Sequence, residues 1–226
     1  MPRYIHRHTD LSIPARNAWL AALLSHIPDA KALVVLFCPA PAANRSSREF
    51  VFASSFQAEG YATLILEGLT SYEEKRDPDS RFDVPKLAER LGAALEWVAH
   101  QPLLAQLGVA ICASGTAAAA MVKAPVADDT CLFAMVSRAG RLDLAGAAPL
   151  RRNRVPLLAI AGGADDATRG PATQAYALID GPKAWQEISN ASDRFIEPGA
   201  LDAAANASLQ WIERWRPATL DLSGTG

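Results

Sequence analysis

Five short apolar runs constrain this chain more than anything else in it: 32–37 (ALVVLF), 61–66 (YATLIL), 109–112 (VAIC), 131–136 (CLFAMV) and 156–161 (PLLAIA). None alternates apolar with polar residues. A strand wetted on one face would alternate, so these runs predict strands buried on both faces, as in a parallel sheet covered by helices. Helical spacing appears between them. Leu87, Leu91, Leu95 and Val98 fall on one face, behind Asp83 as N-cap and Pro85 in the first turn. A second helix is predicted over 47–59, stopped by Gly60, and a third from about Leu201, after Pro198-Gly199. Strand–helix alternation of this kind predicts an α/β fold with right-handed crossovers.

The first residues read differently. Residues 11–15 and 18–25 flank Arg16-Asn17 and predict an antiparallel hairpin leading into the sheet. The charged stretch 68–81 (GLTSYEEKRDPDSR) is expected to be a surface lid or flap. One domain over 1–216 with a frayed tail over 217–226 accounts for the length of 226 residues. A net charge of −2 argues against a nucleic-acid binder working by bulk charge. The apolar stretch 32–43 is broken by two prolines and too short for a bilayer, so no membrane partner is expected. Three cysteines make no disulfide framework and predict a reducing, cytoplasmic setting.

Ligands on such sheets bind beyond the carboxyl ends of the strands, so function is sought after Phe37, Leu66, Cys112, Val136 and Ala161. After Cys112 comes Ala113-Ser114-Gly115-Thr116 and an alanine-rich helix. A serine at a sharp strand-to-helix turn has the layout of a nucleophile elbow, and equally that of a helix N-cap. The usual elbow is G-x-S-x-G; here Cys112 and Thr116 hold the glycine positions. After Ala161, Asp165 stands either where a triad acid would, or as the cap of a glycine-rich turn. After Phe37, Cys38-Pro39-Ala40 occupies the loop that supplies an oxyanion donor in serine hydrolases, and proline has no N–H to give. Cys38 reads as a small buried hydrophobe or a reactive thiol.

On YATLILEGLTSYEE, RFDVPKLAERLGAALEWVAHQP, MVSRAGRLDLAG, PLLAIAGGAD and EPGALDAA, the chain resembles the dienelactone-hydrolase-like branch of the α/β-hydrolases from about Leu11 to Trp215. The resemblance implies that fold and a Ser/Cys–His–Asp triad. Its nucleophile falls on Ser114 and its acid on Asp165, and the position of its histidine holds Asp193. The pocket it implies includes Gly115, Cys38, Pro39, Ala40 and Cys112. None of His6, His8, His26 and His100 is expected near Ser114. A serine without its base loses roughly 10⁶-fold in turnover. The expectation is therefore a hydrolase-fold protein that binds a ligand or protein partner without hydrolysis. Two alternatives stand beside it: an ester or lactone hydrolase with a rearranged site using Ser114, and an enzyme of another class that uses Ser114, Asp165 and Asp193 with a bound cation. No cofactor and no resident metal are expected, and a homodimer is left open.

Overall fold

The computed structural model describes residues 5–128 and 130–218. In chain order the elements are β1 (Arg7–Ala15), β2 (Ala18–His26), β3 (Leu33–Cys38), α1 (Arg48–Ala58), β4 (Ala62–Glu67), α2 (Ser71–Arg76), α3 (Val84–Ala99), β5 (Val109–Gly115), α4 (Thr116–Lys123), β6 (Leu132–Gly140), α5 (Ala147–Arg152), β7 (Leu157–Gly162), α6 (Asp166–Ala177), β8 (Lys183–Ile188) and α7 (Ala200–Trp215). The strands form a sheet in the order β1-β2-β4-β3-β5-β6-β7-β8. From β4 to β8 every pairing is parallel, while β1–β2 and β2–β4 are antiparallel. This is the α/β-hydrolase architecture the sequence predicts, hairpin included.

Why the runs do not alternate is visible in β3. Leu33, Val35 and Phe37 join one apolar cluster with α3 and α4, while Val34, Leu36 and Cys38 join a second with α1 and α7. Successive side chains point to opposite faces, and both faces are covered. Burying each large apolar side chain contributes about 1.5–3 kcal/mol, so polar residues on the central strands are few, and a buried one such as Thr63 is hydrogen-bonded, accepting from Gln57 Nε2. The predicted helix ends are also real. Ser47 caps α1 by accepting from the Phe50 N–H, and Gly60 follows it at φ +84°. Asp83 caps α3 by accepting from Lys86 N–H.

The structure differs from the sequence reading at two places, and a third expectation is untested. β8 has no apolar run to announce it: it is an edge strand, paired among the described residues to β7 alone, and half-exposed. The stretch expected as a lid is α2 followed by a 3₁₀ turn over Pro78–Phe82, fastened down at several points. Arg90, buried on α3, donates to Gly68 O and to both carboxylate oxygens of Glu73, and Thr116 Oγ1 donates to Arg81 O. Finally, the expected frayed tail lies outside the described residues from position 219 onward.

Candidate active site

The carboxyl edge of the sheet carries a cavity of about 300 Å³, lined by Arg48, Glu49, Ser114, Gly115, Arg138, Ala139, Asp193, Arg194 and Leu201. Ser114 and Asp193, predicted from positions 79 residues apart in sequence, meet in it. Asp165 does not line this cavity. It caps α6, accepting from the Thr168 N–H at 3.1 Å and from the Thr168 hydroxyl. Its loop does lean on the Asp193 loop, since Ala164 N–H donates to Ala191 O at 2.9 Å.

The elbow is shifted by one residue from the sequence expectation. Ser114 is the penultimate residue of β5, and the turn into α4 is made by Gly115, at φ +54° and ψ −133°. That backbone conformation is close to closed for residues with a Cβ. In a nucleophile elbow it belongs to the nucleophile itself. Here the residue at the apex has no side chain. A Cβ built on Gly115 would meet nothing within 4 Å, so the space a nucleophile would fill is open.

The oxyanion loop is also not what the pattern implies. Cys38, Pro39 and Ala40 do not line the cavity, and Cys38 is buried in the core. Further along the loop, Ala42 and Ala43 both donate their N–H groups to Oε1 of Glu67, at 2.8 Å each, and Glu67 is itself buried. Gly68 N–H donates to Cys38 O at 2.7 Å, closing the loop's root. Two backbone donors are thus committed to an internal carboxylate. Cys112 is buried beneath the site and lines a recess of about 10 Å³ together with Glu49, Ser114 and Arg138.

Burial pushes the thiols up: Cys112 to about 12, and Cys38 well above its ordinary value. Neither is a thiolate nucleophile near neutral pH. In the β3–β5 register Leu36 pairs with Cys112 and Phe37 with Ala113. The two cysteines therefore lie on a diagonal of about 8 Å, from strand spacing and rise. A disulfide needs Cα atoms within about 7 Å, so they do not bridge. Cys131 is exposed at the opposite end of β6's run.

What the sequence reading missed is the charge above the sheet. Arg138, at the end of β6, pairs with Glu49 of α1 and lies 4.3 Å from the Phe52 ring centroid. Arg48 donates to Phe195 O at 2.7 Å, tying α1 to the loop that carries Asp193 and Arg194. That loop is tight, with Asn190 and Phe195 both at positive φ, and the Ser192 N–H holds the Glu197 carboxyl below its usual range. A charged residue closing the apolar run of β6 was the available signal.

Among the described residues, no histidine lines the cavity. His6 Nε2 is bonded to Tyr61 O, His8 Nδ1 to Ser25 Oγ and His100 Nδ1 to Glu96 O. Among the described residues, no cluster of three or more His, Cys, Asp or Glu is arranged to hold a metal ion. No helix among them is long and apolar enough to cross a membrane.

No protein-family model matches the chain. Two Mycobacterium tuberculosis proteins, from strains CDC 1551 and H37Rv, have names that propose a phosphoribosyl transferase. Each is 33% identical over 187 residues, 82% of this chain, and the chain spans only 42% of their length. Among solved structures, a dienelactone-hydrolase-like promiscuous phosphotriesterase from metagenomic libraries has a TM-score of 0.73 at 16% identity, over 94% of this chain and 99% of that one. The dienelactone hydrolase of Anabaena variabilis ATCC 29413 superimposes with a TM-score of 0.85, is 30% identical and covers 94% of this chain and 99% of its own. With that identity sustained over nearly the full length of both proteins, the chain belongs to the dienelactone hydrolase family of the α/β-hydrolase fold.

Proposed function

We propose that this protein binds a small-molecule ligand in the cavity above Gly115 and does not hydrolyse it. The observation that carries the reading is the apex of the elbow: the residue held at φ +54°, ψ −133° is a glycine. A serine hydrolase needs an oxygen there, a base within reach of it, and N–H donors facing the oxyanion. By the sequence resemblance Asp193 takes the position of the family's histidine, and Glu67 holds the Ala42 and Ala43 donors. The cavity, about 300 Å³, is at the lower end of the range for small ligands. The cation alternative loses ground because three arginines, not a carboxylate cluster, dominate the lining. A transferase role borrowed from the mycobacterial names forms no part of the proposal.

The competing reading is an ester or lactone hydrolase using Ser114, which does face the cavity with Asp193. Turnover of an activated ester separates the two. Wild type is expected to match its Ser114→Ala control. Gly115→Ser combined with Asp193→His restores an oxygen at the apex and a base opposite it, and is expected to hydrolyse the ester above both. Wild-type turnover that disappears in Ser114→Ala would refute the non-hydrolytic reading.

A further inference from the structure

The cavity's charge says what kind of ligand it holds. Its walls present Arg48, Arg138 and Arg194 against Glu49 and Asp193, one cation in excess. Arg48, Arg194 and Asp193 stand at the rim, but Arg138 is only 9% exposed. One of its terminal nitrogens, Nη2, is paired with Glu49; the other, Nη1, is buried and has no hydrogen-bond partner among the described residues. A buried guanidinium nitrogen left without an acceptor is costly, and native proteins seldom tolerate one without a reason. The recess behind Glu49, Ser114 and Arg138, walled otherwise by Phe37, Phe52, Cys112 and Ala113, is about 10 Å³, the size of a single oxygen, and among the described residues Arg138 is the one cation in it. The cavity floor is Gly115, whose side supplies no cap to the first N–H groups of α4, and those groups favour negative charge in front of them.

We infer that this cavity is a binding site for a small oxyanion, a carboxylate or phosphate group, with Arg138 as its buried anchor and Arg194 and Arg48 as its rim. The anion places one oxygen against Arg138 Nη1 in the recess and the remainder between the rim arginines. Arg138 suits the task because a guanidinium keeps its charge when buried and presents two parallel donors to a planar acceptor. Glu49 occupies one side of that fork, so an entering anion either shares Arg138 with it or displaces it. The inference rests on the ligand-binding reading above and narrows it to a chemical class.

Isothermal titration with inorganic phosphate, with benzoate and with neutral benzamide tests it. Saturable binding of phosphate, benzoate or both is expected, weakened by added chloride, with none for benzamide; which anion binds more tightly distinguishes the two sources. Arg138→Met is expected to weaken binding tenfold or more, since a charged hydrogen bond is lost. Arg194→Glu, at an exposed site, is expected to weaken it about threefold or more without touching the fold. Glu49→Gln frees the second side of the fork and is expected to tighten it about threefold. That variant also leaves Arg138 without its counter-charge, so the anion should raise its Tm more than it raises that of wild type. Should Arg138→Met fail to fold, the opposite responses of Arg194→Glu and Glu49→Gln decide the matter. Anion binding unchanged across the variants would mean adventitious surface association and overturn the proposal. Benzamide binding as well as benzoate, insensitive to Arg194→Glu, would overturn it while leaving the non-hydrolytic reading intact. Ser114-dependent ester turnover would instead overturn that underlying reading.

Discussion

Gly115→Ala isolates the physics of the elbow. The added Cβ has nothing within 4 Å, so no steric collision contributes and the cost is that of the backbone conformation alone. Holding a residue with a Cβ at φ +54°, ψ −133° costs about 1–3 kcal/mol. Alanine also narrows the unfolded ensemble, which returns about 0.4–1 kcal/mol. The net loss is therefore about 1–2 kcal/mol. For a domain of this size each kcal/mol moves Tm by about 2–4 °C, so a drop of about 2–8 °C is expected. Urea unfolding followed by far-UV circular dichroism would measure it, with an unchanged m-value showing that the two end states are the same. Asparagine provides the sharper check. It tolerates the left-handed helical region, as at Gly199 (φ +77°, ψ −8°), but not the ψ of −133° at the elbow. Gly199→Asn should thus be mild, and Gly115→Asn as costly as Gly115→Ala. Equal, small effects of asparagine at both positions would refute the assignment of the apex to Gly115.

Arg90 holds the Glu73 carboxyl at about 2, below its ordinary 4.5. A lowered folded pKa stabilises above the unfolded value and loses that contribution as pH falls from about 4.5 to about 2. Allowing for solvent screening at a partly exposed pair, about 1–2 kcal/mol is at stake. The stability gap between wild type and Glu73→Gln should accordingly shrink between pH 5 and pH 2 in urea titrations, and a gap independent of pH would count against the pairing. The thiols give a second readout: Ellman's reagent at pH 8 should titrate Cys131 fast in the native protein, and Cys38 and Cys112 only on unfolding. Two fast thiols, or fewer than three after denaturation, would contradict the burial and register described.

The two-sided core was legible because central parallel strands admit almost nothing but apolar residues. The helix ends were legible where a cap did the work, as at Ser47, Asp83 and Gly60. β8 escaped because an edge strand needs no apolar run, and α6 because it carries Pro171 in a polar, small-residue segment. At the elbow, a reading led by chemistry puts the nucleophile's position on Ser114, the residue that has an oxygen. The backbone puts the apex on Gly115, the residue that can adopt the angles. Sequence offers both and only φ and ψ decide. The Arg138–Glu49 pair was beyond reach, because 89 positions separate its members and only the fold joins them.

The Glu67 carboxylate has a mechanical consequence. By gripping Ala42 and Ala43 from the end of a buried strand, it hangs the β3–α1 loop from the sheet like a bracket, and so fixes where α1 starts. Arg48 and Glu49 open that helix, and Arg48 is bolted in turn to Phe195 across the cavity. The backbone of both walls therefore stands set before anything enters, whatever the Glu49 side chain does. A site framed that way selects by fit to a finished mould rather than by closing around its guest, and its discrimination should survive in the empty protein.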